Sequence, residues 1–321
     1  MKTTLFRFRT WLIVALSFFN SVNVGAAVRG VLVDGVYYDT NSSDNTATVT
    51  GAEEGYSGDI IIHETISWRG ETYNVKYIGQ YAFTGSSVTS VTIPEGVTRI
   101  CSYAFYACTT LTSVSIPESV TQIDGDAFLG CSGLDKAEFA NIESLCKINF
   151  LYASSNPLYC ARHLYIGGKE VKKIVIPEGV TSICNYAFYN GKYITELYIS
   201  SSVETIGQKA FNGCTLLRVY NYAEFPQNCG TDAFSVVKPN CKLYVMEDSQ
   251  DFYSVHKDWY EFNIQPMDEE MTAIENIEMS NVKWTMDNGI YDLSGRKLSQ
   301  MQKGINIVKM SDGSTRKVLI R

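Results

Sequence analysis

Between residues 78 and 245 the apolar positions fall into one phrase that returns about every 23 residues. Each copy reads apolar-x-x-apolar-x-apolar, as in Leu111, Val114 and Ile116; Val171, Ile174 and Ile176; and Ile194, Leu197 and Ile199. The last two apolar positions alternate with polar neighbours, as a short half-buried strand requires. Proline follows at Pro94, Pro117 and Pro177 and, having no backbone donor, ends the strand. Glu95-Gly96 and Glu178-Gly179 then turn the chain, and a Val-Thr-x-Ile segment leads into the next copy. On the far side an Ala-Phe pair recurs at Ala82-Phe83, Ala104-Phe105, Ala127-Phe128, Ala187-Phe188, Ala210-Phe211 and Ala233-Phe234, with spacings of 22, 23, 60, 23 and 23 residues.

A fixed period in the twenties predicts a solenoid, because one such unit can bury its apolar side only against its neighbours. Strands at one position in successive coils then pair in parallel, about 4.8 Å apart. The fold expected is a β-rich solenoid of leucine-rich-repeat type, with one continuous sheet and the phenylalanines inside. The 60-residue gap is one regular unit plus an expanded unit of 37 residues near 140–182. There Tyr165-Ile166 and Val171–Ile174, flanking Gly167-Gly168, predict a local hairpin.

Solenoids need caps. Residues 28–77 read as an N-terminal β cap of short alternating strands, "VDGVYYDT", "TATVTG", "DIIIHETI" and "ETYNVKYIG". The coils and their C-terminal cap occupy 78–266, with Phe252, Tyr253, Trp259, Tyr260 and Phe262 expected to fold over the last coil. Beyond them, 267–321 reads as a small β tail with strands at 289–293, 304–310 and 315–320. The first 27 residues read as a signal peptide: Lys2, Arg7 and Arg9, an apolar run from Trp11 to Phe19, then Val24-Gly25-Ala26-Ala27. The run is shorter than the roughly 20 residues of a membrane-spanning helix.

Set side by side, "ICSYAFYACTTLTSVSIPESVTQ" (100–122) and "ICNYAFYNGKYITELYISSSVET" (183–205) carry Ala-Phe, Ile-Pro or Ile-Ser, and Val-Thr or Val-Glu in phase. The unit resembles the leucine-rich repeat of bacterial surface antigens of the BspA type, over residues 78–245. Residues 150–177 are similar to an irregular unit of that family, and 240–266 to its closing segment; His63 stands where the family usually has proline. The resemblance implies adhesion to host matrix or epithelial proteins, or to other bacteria. "GIYDLSGRKL" and the final "KVLIR" resemble sorting tails of secreted proteins from Gram-negative anaerobes of the Bacteroidetes type, implying export to the outer-membrane surface or beyond.

Charge and chemistry narrow the function. With 27 Lys and Arg against 34 Asp and Glu, a broad basic field for nucleic acid is absent. The nine cysteines lack CxxC or Cys/His zinc spacing. Cys108, Cys131 and Cys214 each follow a repeat phenylalanine by three residues and read as buried core thiols; Cys101 and Cys184 share another repeat position. Cys229 and Cys241 are the pair to test for a bridge. The three histidines, His63, His163 and His256, lie in separate regions, and there is no HExxH, GxSxG, P-loop or Rossmann glycine pattern. The expectation is therefore a monomer without enzymatic activity or cofactor; an enzymatic alternative would centre on His163. "DNGIYD" at 287–292 is a weak calcium motif, better read as turn and strand.

What remains is the exposed side of the repeated strands. The residues flanking the second apolar position should point outward: Ser90 and Thr92, Ser113 and Ser115, Lys136 and Glu138, Lys173 and Val175, Glu196 and Tyr198, Val219 and Asn221. This row begins rich in hydroxyls and becomes charged and aromatic, which suits extracellular protein partners of a host or neighbouring bacteria. Glycans, held by clustered Tyr and Trp, are the alternative partner.

Overall fold

The computed structural model describes residues 27–235 and 237–268, together with short strands at Ile290–Tyr291, Lys297–Leu298, Gly304–Lys309 and Thr315–Ile320. Residues 1–26 of the 1–27 stretch read as a signal peptide, most of the 267–321 stretch read as a tail and most of the 287–292 motif lie outside the described residues. The four short strands form an antiparallel sheet of their own.

The chain enters through six strands: β1 (Ala27–Val33), β2 (Val36–Asn41), β3 (Thr46–Thr50), β4 (Ser57–Ile61), β5 (Thr65–Trp68) and β6 (Glu71–Ile78). β2 and β3 alternate buried and half-buried residues along their length, and β1, β2 and β3 pair antiparallel. β3 and β6 then pair parallel, which changes a meander into a stack of coils.

From there, each coil lays down a longer front strand and a two-residue rear strand. The front strands are β7 (Ser87–Thr92), β9 (Ser113–Ile116) and β11 (Lys136–Phe139); the rear strands are β8 (Arg99–Ile100), β10 (Gln122–Ile123) and β12 (Asn149–Phe150). After helix α1 (Ile142–Lys147) and the turn of helix α2 (Leu158–Ala161) comes a hairpin, β13 (His163–Ile166) and β14 (Lys169–Glu170). Regular coils resume with front strands β15 (Lys173–Ile176), β17 (Glu196–Ile199), β19 (Arg218–Asn221) and β21 (Lys242–Val245), and rear strands β16 (Ser182–Ile183), β18 (Thr205–Ile206) and β20 (Asn228–Cys229). Helix α3 (Gln250–Val255) and strand β22 (Asn263–Pro266) close the stack. All front pairings except β13–β14 are parallel.

The front sheet is not continuous, contrary to the expectation from the repeat. It divides into β4-β7-β9-β11-β13-β14 and β15-β17-β19-β21-β22, and the rear ladder breaks between β12 and β16. The cause is local. Gly167 and Gly168 take φ of 55° and 76°, which glycine adopts without a Cβ penalty. They fold β14 back antiparallel against β13, with Tyr165 opposite Glu170 and Ile166 opposite Lys169. β14 thus takes the edge that the next coil's strand would have used. The predicted hairpin is real, but its return strand is 169–170, and residues 173–176 begin the second sheet.

Inside, the recurring phenylalanines are buried and stacked. Phe83, Phe105 and Phe128 have ring centres 5.0 Å apart, and Phe188, Phe211 and Phe234 have them 5.1 Å apart, with planes within 7° of parallel. The ring spacing is the coil spacing. Alongside, Cys108, Cys131, Cys160 and Cys214 donate from Sγ to the carbonyls of Phe83, Phe105, Phe128 and Phe188, each belonging to the preceding coil. All nine cysteines are free thiols, Cys229 and Cys241 included.

At the C-terminal end Trp259 and Phe262 pack on Phe234, with ring centres at 5.2 and 5.4 Å. Trp259 Nε1 donates to the Gln227 carbonyl at 2.8 Å, and the Tyr253 hydroxyl donates to the Ala223 carbonyl at 3.0 Å. Phe252 and Tyr260, expected in this cap, instead face solvent. Phe252 sits on α3 beside the buried Tyr253 and pairs outward with the exposed Phe225 at 4.9 Å.

Candidate functional site: the front strand face

Strand register arranges the outward side chains into two columns. The first runs Ser90, Ser113, Lys136 and His163, and after the break Lys173, Glu196, Arg218, Lys242 and Asn263. The second runs Thr92, Ser115, Glu138 and Tyr165, then Val175, Tyr198, Tyr220, Tyr244 and Gln265. Strand β4 adds Asp59 beside Ser90 and Ile61 beside Thr92.

Ten of the twelve residues read from the sequence as outward occupy these columns. Val219 and Asn221 do not: both are fully buried. Val219 aligns with Leu197 and Asn221 with Ile199, so both stand in apolar slots of the coil. Asparagine in the last slot disguised the phase of "RVYN". Its amide is satisfied inside, donating to Gln227 Oε1 at 2.7 Å and accepting from Gln227 Nε2 at 3.0 Å. The outward residues of this strand are Arg218 and Tyr220. His163, Tyr165, Lys242 and Tyr244 were also missed, although coil alignment would have found them.

Each part of the face is organised differently. At the N-terminal end Asp59 Oδ1 accepts from Thr89 Oγ1 and Ser90 Oγ, both at 2.6 Å. These hydrogen bonds, Ser90's foremost, hold the Asp59 carboxyl below its ordinary range. In the middle, Lys136 Nζ pairs with Glu138 Oε2 at 2.7 Å and lies 4.9 Å from the centre of the Tyr165 ring. The Lys136 hydrogen bond is the main reason that the Glu138 carboxyl is depressed; the Gly168 N–H adds a further donor at 2.6 Å.

At the break His163 stacks on Tyr193, ring centres 3.8 Å apart. Its Nδ1 lies 2.8 Å from Glu170 Oε1 and its Nε2 3.9 Å from Asp135 Oδ1. A nucleophilic arrangement would place a hydroxyl or thiol on one of these nitrogens, whereas both face carboxylates. Among the described residues no three His, Cys, Asp or Glu side chains converge as a metal site.

In the C-terminal part the second column is a tyrosine stack. Tyr198 and Tyr220 have ring centres 4.3 Å apart, Tyr220 and Tyr244 4.9 Å, and Lys173 Nζ lies 4.2 Å from the Tyr198 ring centre. Tyr222 and Met267 join them in a small apolar cluster outside the main core. Tyr198 is consequently only 6% exposed: it points outward but is covered, which corrects the expectation that it lies open on the exposed side. Burial, then the neighbouring Tyr198, pushes the Tyr220 phenol up. Glu196 and Arg218 form an ion pair across adjacent coils.

Stacked short parallel strands with in-phase buried phenylalanines define a leucine-rich-repeat solenoid. Six copies of the family described as BspA type leucine rich repeat region match residues 71–159 and 161–254, and the chain belongs to that family. No curated protein matches the chain. Among solved structures it is similar to a leucine rich cell surface protein from Faecalibacterium prausnitzii, at 20% identity over 91% of this chain and 61% of that one, with a TM-score of 0.42. It is also similar to a leucine-rich repeat protein from Bacteroides ovatus, at 21% identity over 74% and 67% of the two chains, with a TM-score of 0.44. A leucine-rich repeat protein from Bacteroides capillosus shares 26% identity over 44% of this chain and all of its own length, with a TM-score of 0.37. The chain thus spans about three-fifths of the Faecalibacterium structure.

Proposed function

We propose that the chain is an exported, non-catalytic adhesion protein whose front strand face binds proteins outside the cell, on a host surface or a neighbouring bacterium. The observation that supports this reading is the pair of outward columns. Their side chains repeat at coil spacing on paired backbone, so little ordering is left to be done on binding. Arg218 and the half-buried Tyr244 lie beside Lys242, and arginine and tyrosine are residue types that concentrate binding energy at protein interfaces.

The test is binding of the mature chain to immobilised matrix proteins and to epithelial cells, with Arg218→Glu, Lys242→Glu and Tyr244→Ala compared against wild type. Each substitution is expected to weaken binding about tenfold or more with the fold retained by circular dichroism, although losing the Glu196 ion pair and the Tyr220 stack lowers the thermal midpoints of Arg218→Glu and Tyr244→Ala. Binding that survives all three would remove the front face from the function. Surface proteolysis of intact producing cells tests export on its own.

A further inference from the structure

The Ala-Phe edge of the coils carries a group of side chains that the front face does not use. Just before each Ala-Phe pair the backbone passes through a left-handed residue: Tyr81 at φ 60°, Tyr103 at 59° and Asp126 at 58°. Tyr81 stacks on Tyr103 with ring centres 5.2 Å apart, and Tyr106 meets Tyr103 edge-on at 5.7 Å.

The expanded unit adds Tyr152 to this edge. Its backbone is clamped, donating its N–H to Ser155 Oγ at 3.0 Å and accepting the Ser155 N–H at 3.1 Å, and Ser155 is fully buried. The Tyr152 ring lies against Gly125: a Cβ on that glycine would stand 2.8 Å from Cε2 and 2.9 Å from Cδ2. The Cδ2–Cε2 edge of the ring therefore rests on main chain, and Tyr152 is 54% exposed. Next to Gly125, Asp126 accepts from Ser154 Oγ at 2.5 Å, and its nearby charge pushes the Tyr103 phenol up.

We propose that Tyr152, braced along one ring edge by Gly125 and flanked by Asp126 and Tyr103, is a stacking platform for one sugar ring of a neutral oligosaccharide. A pyranose offers a flat C–H face to an aromatic ring and hydroxyl donors at its rim, which a carboxylate accepts. Asp126, Ser154 and the four tyrosines include no cation, which disfavours an anionic ligand. A quaternary ammonium ion would call for several open ring faces, and Tyr81 and Tyr103 cover one another. This platform lies apart from the front strand face, so neither reading depends on the other.

The experiment is calorimetric titration of the mature full chain with cellohexaose, laminarihexaose and maltohexaose, with choline as a fourth probe. At least one hexasaccharide should bind. Tyr152→Ala should then weaken it about tenfold, and Asp126→Asn about threefold. Tyr152→Phe, which keeps the ring, and Tyr244→Ala, on the front face, should leave it unchanged. Circular dichroism of Tyr152→Ala separates a lost platform from a lost fold, and Tyr152→Phe with Asp126→Asn test the site should that variant unfold. No binding of any hexasaccharide at millimolar concentration, sugar binding indifferent to Tyr152→Ala, or choline binding that Tyr152→Ala abolishes would each overturn the proposal.

Discussion

Asn156 donates from Nδ2 to the Ala187 carbonyl at 2.9 Å, across the coil break and from 31 residues away. The same nitrogen reaches the Tyr186 carbonyl at 2.8 Å, and Asn156 Oδ1 accepts the Leu158 N–H at 3.0 Å. Within the regular coils, main chain does this work. The Phe83, Phe105, Phe188 and Phe211 N–H groups donate to Ala104, Ala127, Ala210 and Ala233 carbonyls one coil on. The expanded unit interrupts that ladder, and a fully buried side-chain amide bridges to the coil beyond it.

Replacing Asn156 by Ala should therefore cost about 2 kcal/mol, since buried partners lose their hydrogen bonds with no water to substitute. Asn156→Asp should cost more, because it removes the donor and buries a carboxylate. Urea unfolding followed by tryptophan fluorescence reads both. Midpoints equal to wild type would mean that the two stacks are held together elsewhere.

The positions that repeat were legible because the coil forces one environment on them. Phe105 and Phe188 are far apart in sequence yet meet the same neighbours, so spacing alone located both. Legibility failed where one coil departs from the rest. Asn221 fills an apolar slot by pairing with Gln227, and hydropathy cannot anticipate that a polar residue will be satisfied inside. Gly167-Gly168 announced a hairpin, but not that β14 would occupy the edge needed by the next strand. In the cap, Tyr253 and Trp259 are buried and Phe252 and Tyr260 are not, a division set by the pitch of α3 and the turn after it rather than by residue type.

Two residues beyond five of the repeat phenylalanines the backbone is left-handed: Gly85, Gly130 and Gly213 at φ 66°, 83° and 84°, Asn190 at 62°, and Ala107 at 56°. Alanine is the misfit, because its Cβ crowds the carbonyl in this conformation. Ala107→Gly should accordingly raise stability by about 0.5–1 kcal/mol, against the usual direction of such a change. Gly213→Ala should lower it by more, since its Cβ would also stand 3.0 Å from Asn190 Cα. A thermal midpoint that falls in Ala107→Gly would refute the assignment of strain to this slot.

Thiol chemistry should follow the coil position. Burial pushes the Cys108 thiol up to about 11 and Cys214 up to about 12, so the reactive thiolate is scarce at neutral pH. Both, with Cys131, should resist a disulfide reagent such as DTNB in native protein and react at once in denaturant. Prompt native labelling of any of the three, mapped by mass spectrometry, would contradict a core role for that position.

Acid should loosen the N-terminal end of the front face through Asp59. Its folded-state carboxyl titrates below the unfolded one because Ser90 and Thr89 donate to the charged form. For a depressed carboxyl the sign is fixed: its contribution is complete above the unfolded value, near 4, and disappears as pH falls through the folded value. The wild type should thus melt higher than Asp59→Asn at pH 7, and the gap should close as the solution is acidified below the ordinary carboxylate range. Thermal midpoints of the two proteins across that range measure it directly. A gap that stayed constant or widened in acid would show that Ser90 and Thr89 are held by the sheet and not by the charge on Asp59.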